Sequence, residues 1–383
     1  MKYLVFLPVL LLSACSLLPR EKVLIYFPQD SATVGDAITI EGRAYDKDGI
    51  DVLRLSVENL ETGGIKTYSI KRLASVYKGK VLEQLSKFRQ QIRFASGGAY
   101  RLTVMMKDSS GNEIESAPVT LNAVMGKPDQ KFILFSRSHV IPLIILILMN
   151  IFMVYYCRRY EQARETVPYI LGAVLWGNEI VFHLWHLLLG SWTVTSNLMI
   201  HMCGLAVLLI PVMLLHPSKK VRDTLFPMLY FWGFGGAVQA LLTPDIGVFG
   251  YPSYRYFAAF ISHGFIVTAI VYMVMVRGYY VTFRMMYKVY GLTILILIPV
   301  YGLDQLIKLL PPYEAGSYFF LLYPPVDGSA IDILVDIFGP SPRYIIGLMI
   351  LSLIVFHILV VPFRIAALFG KKSCKEIISA AAE

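Results

Sequence analysis

Seven long apolar runs separated by short polar segments make up most of the chain from His139 onward. Each run approaches the ~20 residues that a transmembrane helix needs. The pattern therefore predicts an α-helical polytopic membrane bundle with seven spans, a domain covering residues 139–367. The predicted spans are 139–156, 168–189, 198–215, 225–242, 256–276, 289–307 and 343–363.

A second pattern, in which apolar and polar residues alternate, occupies residues 21–125. Alternation at period two, interrupted by turn signals, is typical of an antiparallel β-sandwich. Examples are Ile38 and Ile40, Leu53 and Leu55, and Leu102 and Val104, with turn signals at Asp48-Gly49, Gly63-Gly64 and Ser110-Gly111-Asn112. The stretches VGDAITIEGRAYDKDGI and GAYRLTVMMKDSSGNE resemble bacterial immunoglobulin-like domains, which implies a binding or spacing role with no chemistry of its own. Residues 80–93 are expected to form a helix or a long loop within this domain.

Residues 1–15 read MKYLVFLPVLLLSAC, a lysine followed by an apolar run and small residues. This is the form of a secretory signal peptide. The Leu12-Ser13-Ala14-Cys15 ending resembles a bacterial lipobox, which implies lipid attachment at Cys15; an uncleaved short anchor is the alternative. Both interpretations send the following residues out of the cytoplasm.

The charge distribution gives an independent prediction of topology. The chain is 56% hydrophobic and carries a formal net charge of +9. Basic residues concentrate in 157–167, 216–224, 277–288 and the tail 368–383, whereas the alternate loops hold few. By the positive-inside rule these segments are cytoplasmic, so the basic residues indicate topology and not nucleic-acid binding. The chain is predicted to lie in a bacterial cytoplasmic membrane with the sandwich outside.

The segment 308–342, between the last two predicted spans, is rich in proline, glycine and aromatic residues. A short apolar helix is expected around residues 331–338. The segment either dips back towards the membrane as a lid or forms an amphipathic connector on the surface. The sequence leaves both interpretations open.

Polar and ionisable residues inside spans are costly and are therefore candidates for function. In the predicted topology Glu179 lies near the middle of the membrane. The remaining polar residues lie towards the outer leaflet: His183, His186, His201, Cys203, Gln239, Asp245, His263, Asp304 and Gln305. Because chance placement would scatter them, the sequence predicts one polar site near the outer surface.

A thiol and an imidazole on different spans are the candidate reactive groups. A thiol in an apolar site needs a base or cation to become a nucleophile. His201 lies about 200° around the helix from Cys203 and points elsewhere, whereas His263 enters from another span at a matching depth. The favoured interpretation makes Cys203 the nucleophile and His263 the base; the alternative is a cysteine that only packs. A carboxylate or amide would orient the imidazole or polarise a carbonyl, and the candidates are Glu179, Gln239 and Asp245.

Glu179 and His183 are four residues apart and His183 and His186 three apart, so each pair shares a helical face. The sequence allows a structural ion pair, a proton path, or a metal site formed with His263. The four cysteines include no CxxC pair, which argues against a disulfide framework and a zinc ribbon. No metal and no cofactor are predicted.

Three stretches carry a family resemblance: HMCGLAVLLIP, YFWGFGGAVQALLTPDIG and YFAAFISHGFIVTAIVYM. Residues 140–365 resemble the YwaF-like integral membrane proteins, which are related to the animal transmembrane acyltransferase that builds polyunsaturated ether phospholipids. The resemblance implies that Cys203 carries an acyl group and that His263 activates it. Many relatives have an acidic residue directly after the cysteine, where this chain has Gly204.

These observations favour an intramembrane lipid acyltransferase or lipid esterase that acts on membrane phospholipid at the outer leaflet. Two alternatives remain open. One is a transporter or receptor whose polar cluster binds a small substrate or a proton, although no inverted repeat is evident. The other is an envelope anchor in which the sandwich is the working part.

Overall fold

The computed structural model describes residues 22–28, 30–46, 50–70, 72–73, 76–77, 80–81, 85–126, 132–188, 192–244, 246, 249–307, 316–322 and 330–369. The predicted signal peptide, Cys15, Asp245, the Asp48-Gly49 turn and the tail from residue 370 lie outside the described residues.

The N-terminal domain is a β-sandwich, as predicted. Its two main sheets have the strand orders β1-β3-β9-β6 and β2-β12-β10-β4-β5, with β11 paired to β10; among the described residues β7 and β8 form a separate two-stranded sheet. The strands are β1 Lys22–Phe27, β2 Ala32–Val34, β3 Ala37–Tyr45, β4 Ile50–Asn59, β5 Ile65–Ser69, β6 Arg72–Leu73, β7 Val76–Tyr77, β8 Lys80–Val81, β9 Leu85–Arg93, β10 Gly98–Asp108, β11 Glu113–Glu115 and β12 Val119–Ala123. The alternating residues fill the core between the sheets, where Ile40, Leu55 and Leu102 are fully buried.

The expectation of a helix or a loop over residues 80–93 is wrong for the residues described there. β9 pairs with β3 along nine consecutive residues, from Ala37 opposite Arg93 to Tyr45 opposite Leu85. Phe88 and Ile92 point into the core and are almost fully buried. Pairing with β3 and burial of these two side chains outweigh a composition that suits a helix, because strand preference depends on packing against neighbours.

The rest of the chain is helical, with bounds α1 Arg137–Arg159, α2 Glu161–Leu188, α3 Met202–Leu215, α4 Lys219–Leu242, α5 Tyr254–Met275, α6 Phe283–Ile307, α7 Ala330–Phe338 and α8 Tyr344–Phe369. Among the described residues, six helices are long and apolar enough to cross a membrane: α1, α2, α4, α5, α6 and α8. They correspond to six of the seven predicted spans. α4 contains one π-helical turn, Tyr230–Phe234.

The third predicted span, 198–215, differs from the expectation. α3 begins only at Met202 and has 14 residues, which at ~1.5 Å per residue is about 21 Å. The hydrocarbon core of a bilayer is ~30 Å thick, so α3 is shorter than a full span. A compact turn precedes it, in which the Thr193 amide donates to Asn197 Oδ1 at 2.9 Å.

The bundle has two chemically different ends. The first, which we call the basic end, holds the C-termini of α1, α3, α5 and α8, with Arg158 donating to the Met275 carbonyl at 2.8 Å. The other, which we call the sandwich end, contacts the β-domain. There the Phe27 and Phe249 rings meet edge to face with centroids 4.8 Å apart, and Arg43 Nη2 donates to Ser196 Oγ at 3.3 Å.

Candidate functional site at the sandwich end of the bundle

Two helices, α3 and α5, meet α4 at Gly233. A Cβ placed on Gly233 would lie 3.0 Å from Ala206 Cβ of α3 and 3.3 Å from Ile266 Cγ2 of α5. The missing side chain therefore lets α3 and α5 both pack directly against the α4 backbone. This layer lies one helical turn below the predicted reactive residues.

The predicted nucleophile lies in the next layer towards the sandwich end. Cys203 is three residues before Ala206, and Gly236 is three residues after Gly233 on a helix that runs the opposite way. A Cβ on Gly236 would be 2.9 Å from the Cys203 sulfur. The thiol therefore rests directly on the α4 backbone and fills the space that Gly236 leaves.

His263 belongs to the same layer by position on α5. It is three residues before Ile266, and residues three apart share a helical face. The Ser253 hydroxyl, which accepts from the Tyr256 amide at 3.2 Å, caps the start of α5. Within the described part of the chain, no hydrogen bond joins the Cys203 sulfur to the His263 ring.

The contacts of His263 fix which ring nitrogen carries the proton. Nδ1 lies 2.8 Å from the Ala259 carbonyl oxygen, and a carbonyl can only accept. In the neutral imidazole Nδ1 is therefore the donor, which leaves the Nε2 lone pair as the basic position. The sequence could not reveal this tautomer, because it depends on the local backbone.

Glu179 and His183 form a hydrogen-bonded pair with a third member that the sequence did not suggest. His183 Nε2 lies 3.1 Å from Glu179 Oε1, and the Trp192 indole donates to His183 Nδ1 at 2.9 Å. An indole N–H can only donate, so Nδ1 is an acceptor and the proton is on Nε2. His183 is thus held as a neutral imidazole that donates to the carboxylate, which argues against a fully charged ion pair.

The metal interpretation has no support in the described residues, which contain no group of three or more His, Cys, Asp or Glu side chains suited to a metal ion. Both ring nitrogens of His183 are already engaged by Glu179 and Trp192. His186 stacks edge to face on Phe182 and Trp185, with centroids 4.5 and 4.8 Å away.

Two other predicted site residues, Gln239 and His201, can be placed relative to Cys203 and Gly236. Gln239 follows Gly236 by one further turn on the same face of α4. His201 precedes α3 and packs its ring against Tyr318 and Phe320, with centroids 5.0 and 5.2 Å away. His201 therefore packs against these two rings at the start of α3.

The start of α3 is a feature that sequence reasoning missed. Cys203 is the second residue of the helix, and the His201 side chain at the N-cap position makes no capping hydrogen bond. The first N–H groups of a helix lack intrahelical acceptors and carry partial positive charge. The sequence carries no local signal for this helix start, because the polar run from Thr193 to Asn197 ends before Leu198 and the helix begins only at Met202.

The described part of the loop between α6 and α7 packs against the turn that precedes α3. Tyr318 is fully buried; its hydroxyl donates to the Val194 carbonyl at 2.7 Å and accepts from the Leu198 amide at 3.0 Å. Its amide donates to Asp304 Oδ1 at 3.0 Å. Residues 316–322 therefore behave as a cover over the start of α3, which favours the lid interpretation for that stretch.

The described helices and strands define a multi-pass α-helical membrane protein that carries a β-sandwich at one end. The family model described as the TMEM164 family matches residues 134–360, which is more than half of the chain. The chain therefore belongs to the TMEM164 family. The predicted link to YwaF-like proteins stays a prediction.

No curated protein matches the chain. Similar solved structures include CopC from Methylosinus trichosporium OB3b, with 12% identity, a TM-score of 0.21, and coverage of 28% of this chain and 98% of that chain. A fibronectin(III)-like module of Clostridium thermocellum CbhA has 19% identity, a TM-score of 0.19 and coverage of 28% and 99%. A chain from a structure of T cell activation by the bacterial superantigen toxic shock syndrome toxin-1 has 15% identity, a TM-score of 0.19 and coverage of 27% and 99%. Likenesses this weak do not bear on function.

Proposed function

We propose that the protein is an intramembrane lipid acyltransferase or lipid esterase that acts on phospholipid acyl chains. Cys203 is the nucleophile and His263 the base. The observation that carries the proposal is the layer formed by α3, α4 and α5, in which the sulfur touches Gly236 and His263 lies one turn from Ile266. The sandwich end faces the outside of a bacterial cytoplasmic membrane, because the basic residues gather at the opposite end.

The reaction divides into two steps that conserve atoms and charge. The sulfur attacks the acyl ester carbonyl, an S–C bond forms and the C–O bond to the lipid alcohol breaks. His263 Nε2 takes the thiol proton and returns it to the leaving alkoxide. A second lipid hydroxyl or water then attacks the thioester, gives its proton to His263 and restores the thiol.

The start of α3 supports the charge that develops in this reaction. When the carbonyl is attacked its oxygen becomes negative, and preorganised N–H groups at that position lower the barrier. The first turn of α3 supplies N–H groups without intrahelical partners beside the sulfur. Because the tetrahedral oxygen lies next to the sulfur that made it, these groups are in reach of it.

Glu179 acts on His263 through the field of its carboxylate. The indole of Trp192 and the imidazole of His183 hold that carboxylate in place. A fixed negative charge near an imidazole stabilises the imidazolium that forms as the thiol proton is transferred. Glu179 is therefore a positioning and electrostatic residue and does not touch the acyl group.

The experiment uses full-length protein in liposomes that contain phospholipid with isotope-labelled acyl chains. Mass spectrometry follows acyl exchange and hydrolysis. We expect no activity from Cys203→Ala and a loss of ~10²–10⁴-fold in kcat from His263→Gln. Cys157→Ala is the matched control, since Cys157 is the other described free cysteine and is buried in α1 near the basic end.

The following results distinguish this proposal from the transporter hypothesis. A hydroxylamine-labile acyl adduct on Cys203, present in Cys157→Ala and absent from Cys203→Ala, would identify the thioester. Full acyl-exchange activity in both Cys203→Ala and Cys203→Ser would refute the proposal. Substrate uptake that is lost in Glu179→Gln and kept in Cys203→Ala would instead favour a transporter.

A further inference from the structure

We propose that the protein binds an anionic phospholipid in a groove between α1 and α5 at the basic end. The groove has a volume of about 550 Å³, within the ~300–1,000 Å³ of sites that hold ligand molecules. Its lining combines an apolar floor with cationic residues at one end: Asn150, Ile151, Val154, Tyr155, Arg158, Arg159, Val271 and Met275. The site is separate from Cys203 and does not depend on the chemistry proposed there.

Two polar links hold the walls of this groove at a fixed spacing. At the end nearer the middle of the bundle, the Asn150 amide donates to Thr268 Oγ1 of α5 at 3.2 Å and to the Leu146 carbonyl at 2.8 Å. At the basic end, Arg158 donates to the Met275 carbonyl through Nε at 3.0 Å and Nη2 at 2.8 Å. The helices are therefore tied together on both sides of the apolar stretch, and the groove is preformed.

The length of the groove matches one leaflet. Asn150 and Arg158 are eight residues apart on α1, which at ~1.5 Å per residue is about 12 Å. Half of a ~30 Å hydrocarbon core is about 15 Å. An acyl chain that enters beside Arg158 can therefore lie along the groove for nearly the depth of its leaflet, against Ile151, Val154 and Val271.

The charge at the mouth selects the headgroup. Arg158 uses Nε and Nη2 on Met275, and no partner of its Nη1 group occurs among the described residues. A guanidinium has five N–H donors, so Nη1 offers two for a phosphate. Arg159 is exposed beside it and lies over the Tyr160 ring at 5.6 Å. Two exposed arginines next to an apolar channel fit the phosphate of a lipid such as phosphatidylglycerol, whose negative charge no ammonium group in the headgroup balances, since basic pockets between helices favour anionic headgroups.

The test uses native mass spectrometry of the full-length protein in detergent. Phosphatidylglycerol and phosphatidylcholine with identical acyl chains are added in equal amounts. We expect the wild type to retain phosphatidylglycerol preferentially. Loss of one charge in Arg159→Gln should weaken that binding about five-fold, and the double change with Arg158→Gln about thirty-fold.

Two further variants keep the result interpretable. Lys220→Gln removes a charge at the same end outside the groove and should leave binding unchanged. Ile151→Trp fills the groove without altering charge and should lower retention of both lipids. Equal retention of the two lipids by the wild type, a loss in Lys220→Gln equal to that in Arg159→Gln, or unchanged binding in Ile151→Trp would each overturn the proposal.

Discussion

Gly236→Ala tests the candidate site sharply, because the missing side chain of Gly236 leaves the space that the Cys203 sulfur occupies. The added Cβ would lie 2.9 Å from that sulfur, whereas nonbonded carbon contacts settle at ~3.5–4.0 Å. The sulfur or the helix must therefore move by roughly 0.6–1.1 Å. Overpacking costs ~1–3 kcal/mol and replacing a helical glycine by alanine returns ~0.5–1 kcal/mol. The free energy of unfolding should fall by about 0–2.5 kcal/mol.

The effect on activity should be much larger than the effect on stability. A displacement of ~1 Å at a reacting atom can cost ~10²-fold in rate. We therefore expect Gly236→Ala to remain folded in the membrane and to lose about 10²-fold in kcat for acyl exchange. The same liposome assay measures the rate, and thermal unfolding in detergent measures the stability.

Two other glycines provide matched controls. A Cβ on Gly302 of α6 meets open space, and one on Gly235 meets the flexible end of Leu359 at 3.1 Å. Gly302→Ala and Gly235→Ala should therefore keep activity within a few-fold of the wild type. Wild-type activity in Gly236→Ala, or an equal loss in Gly235→Ala, would show that the position of the sulfur does not govern the rate.

Two predictions concern the cover and the sandwich. Tyr318→Phe leaves the buried Val194 carbonyl and the Leu198 amide without their hydroxyl partner, which should lower the free energy of unfolding by ~1–3 kcal/mol. It should also speed the labelling of Cys203 by maleimide, because residues 316–322 are held less tightly; an unchanged labelling rate would contradict this. In the sandwich, hydrogen bonds from Thr120 hold the pKa of the exposed Asp30 carboxyl below its ordinary value of 3.8. Such a group adds stability above its unfolded pKa and loses it as pH falls through the lower folded pKa. Thermal unfolding between pH 5 and pH 2 should therefore show a smaller loss of stability in Asp30→Asn than in the wild type, and equal losses would refute the assignment.

The type and order of the main elements were the most predictable part of the fold. Apolar runs predicted the six membrane-length helices, and alternating residues such as Leu53 and Leu55 predicted the sandwich. Both patterns report which side chains avoid water, and they persist whatever the neighbours are.

Helix ends and local contacts were less predictable. The residues from Leu198 to His201 are mostly apolar, so hydropathy alone extended the third predicted span back to Leu198. In the structure these residues form a turn, which the Tyr318 hydroxyl holds by accepting from the Leu198 amide. The roles of Gly236 and Trp192 depend on contacts with α3 and α2, which no local pattern contains. β9 likewise takes its conformation from β3.

Because α3 is shorter than the hydrocarbon core, it leaves a gap between its first turn and one membrane surface, which we call the well. If Leu215 sits at one hydrocarbon boundary, a helix of about 21 Å ends roughly 9 Å below the other boundary. The turn before it and the buried segment around Tyr318 fill that well with backbone amides and hydroxyls, which would be intolerable if lipid tails touched them. In the proposed reaction, a polar floor at that depth would let a phospholipid present its ester carbonyl to Cys203 while its headgroup stays in the interface and its tails stay in the hydrocarbon core.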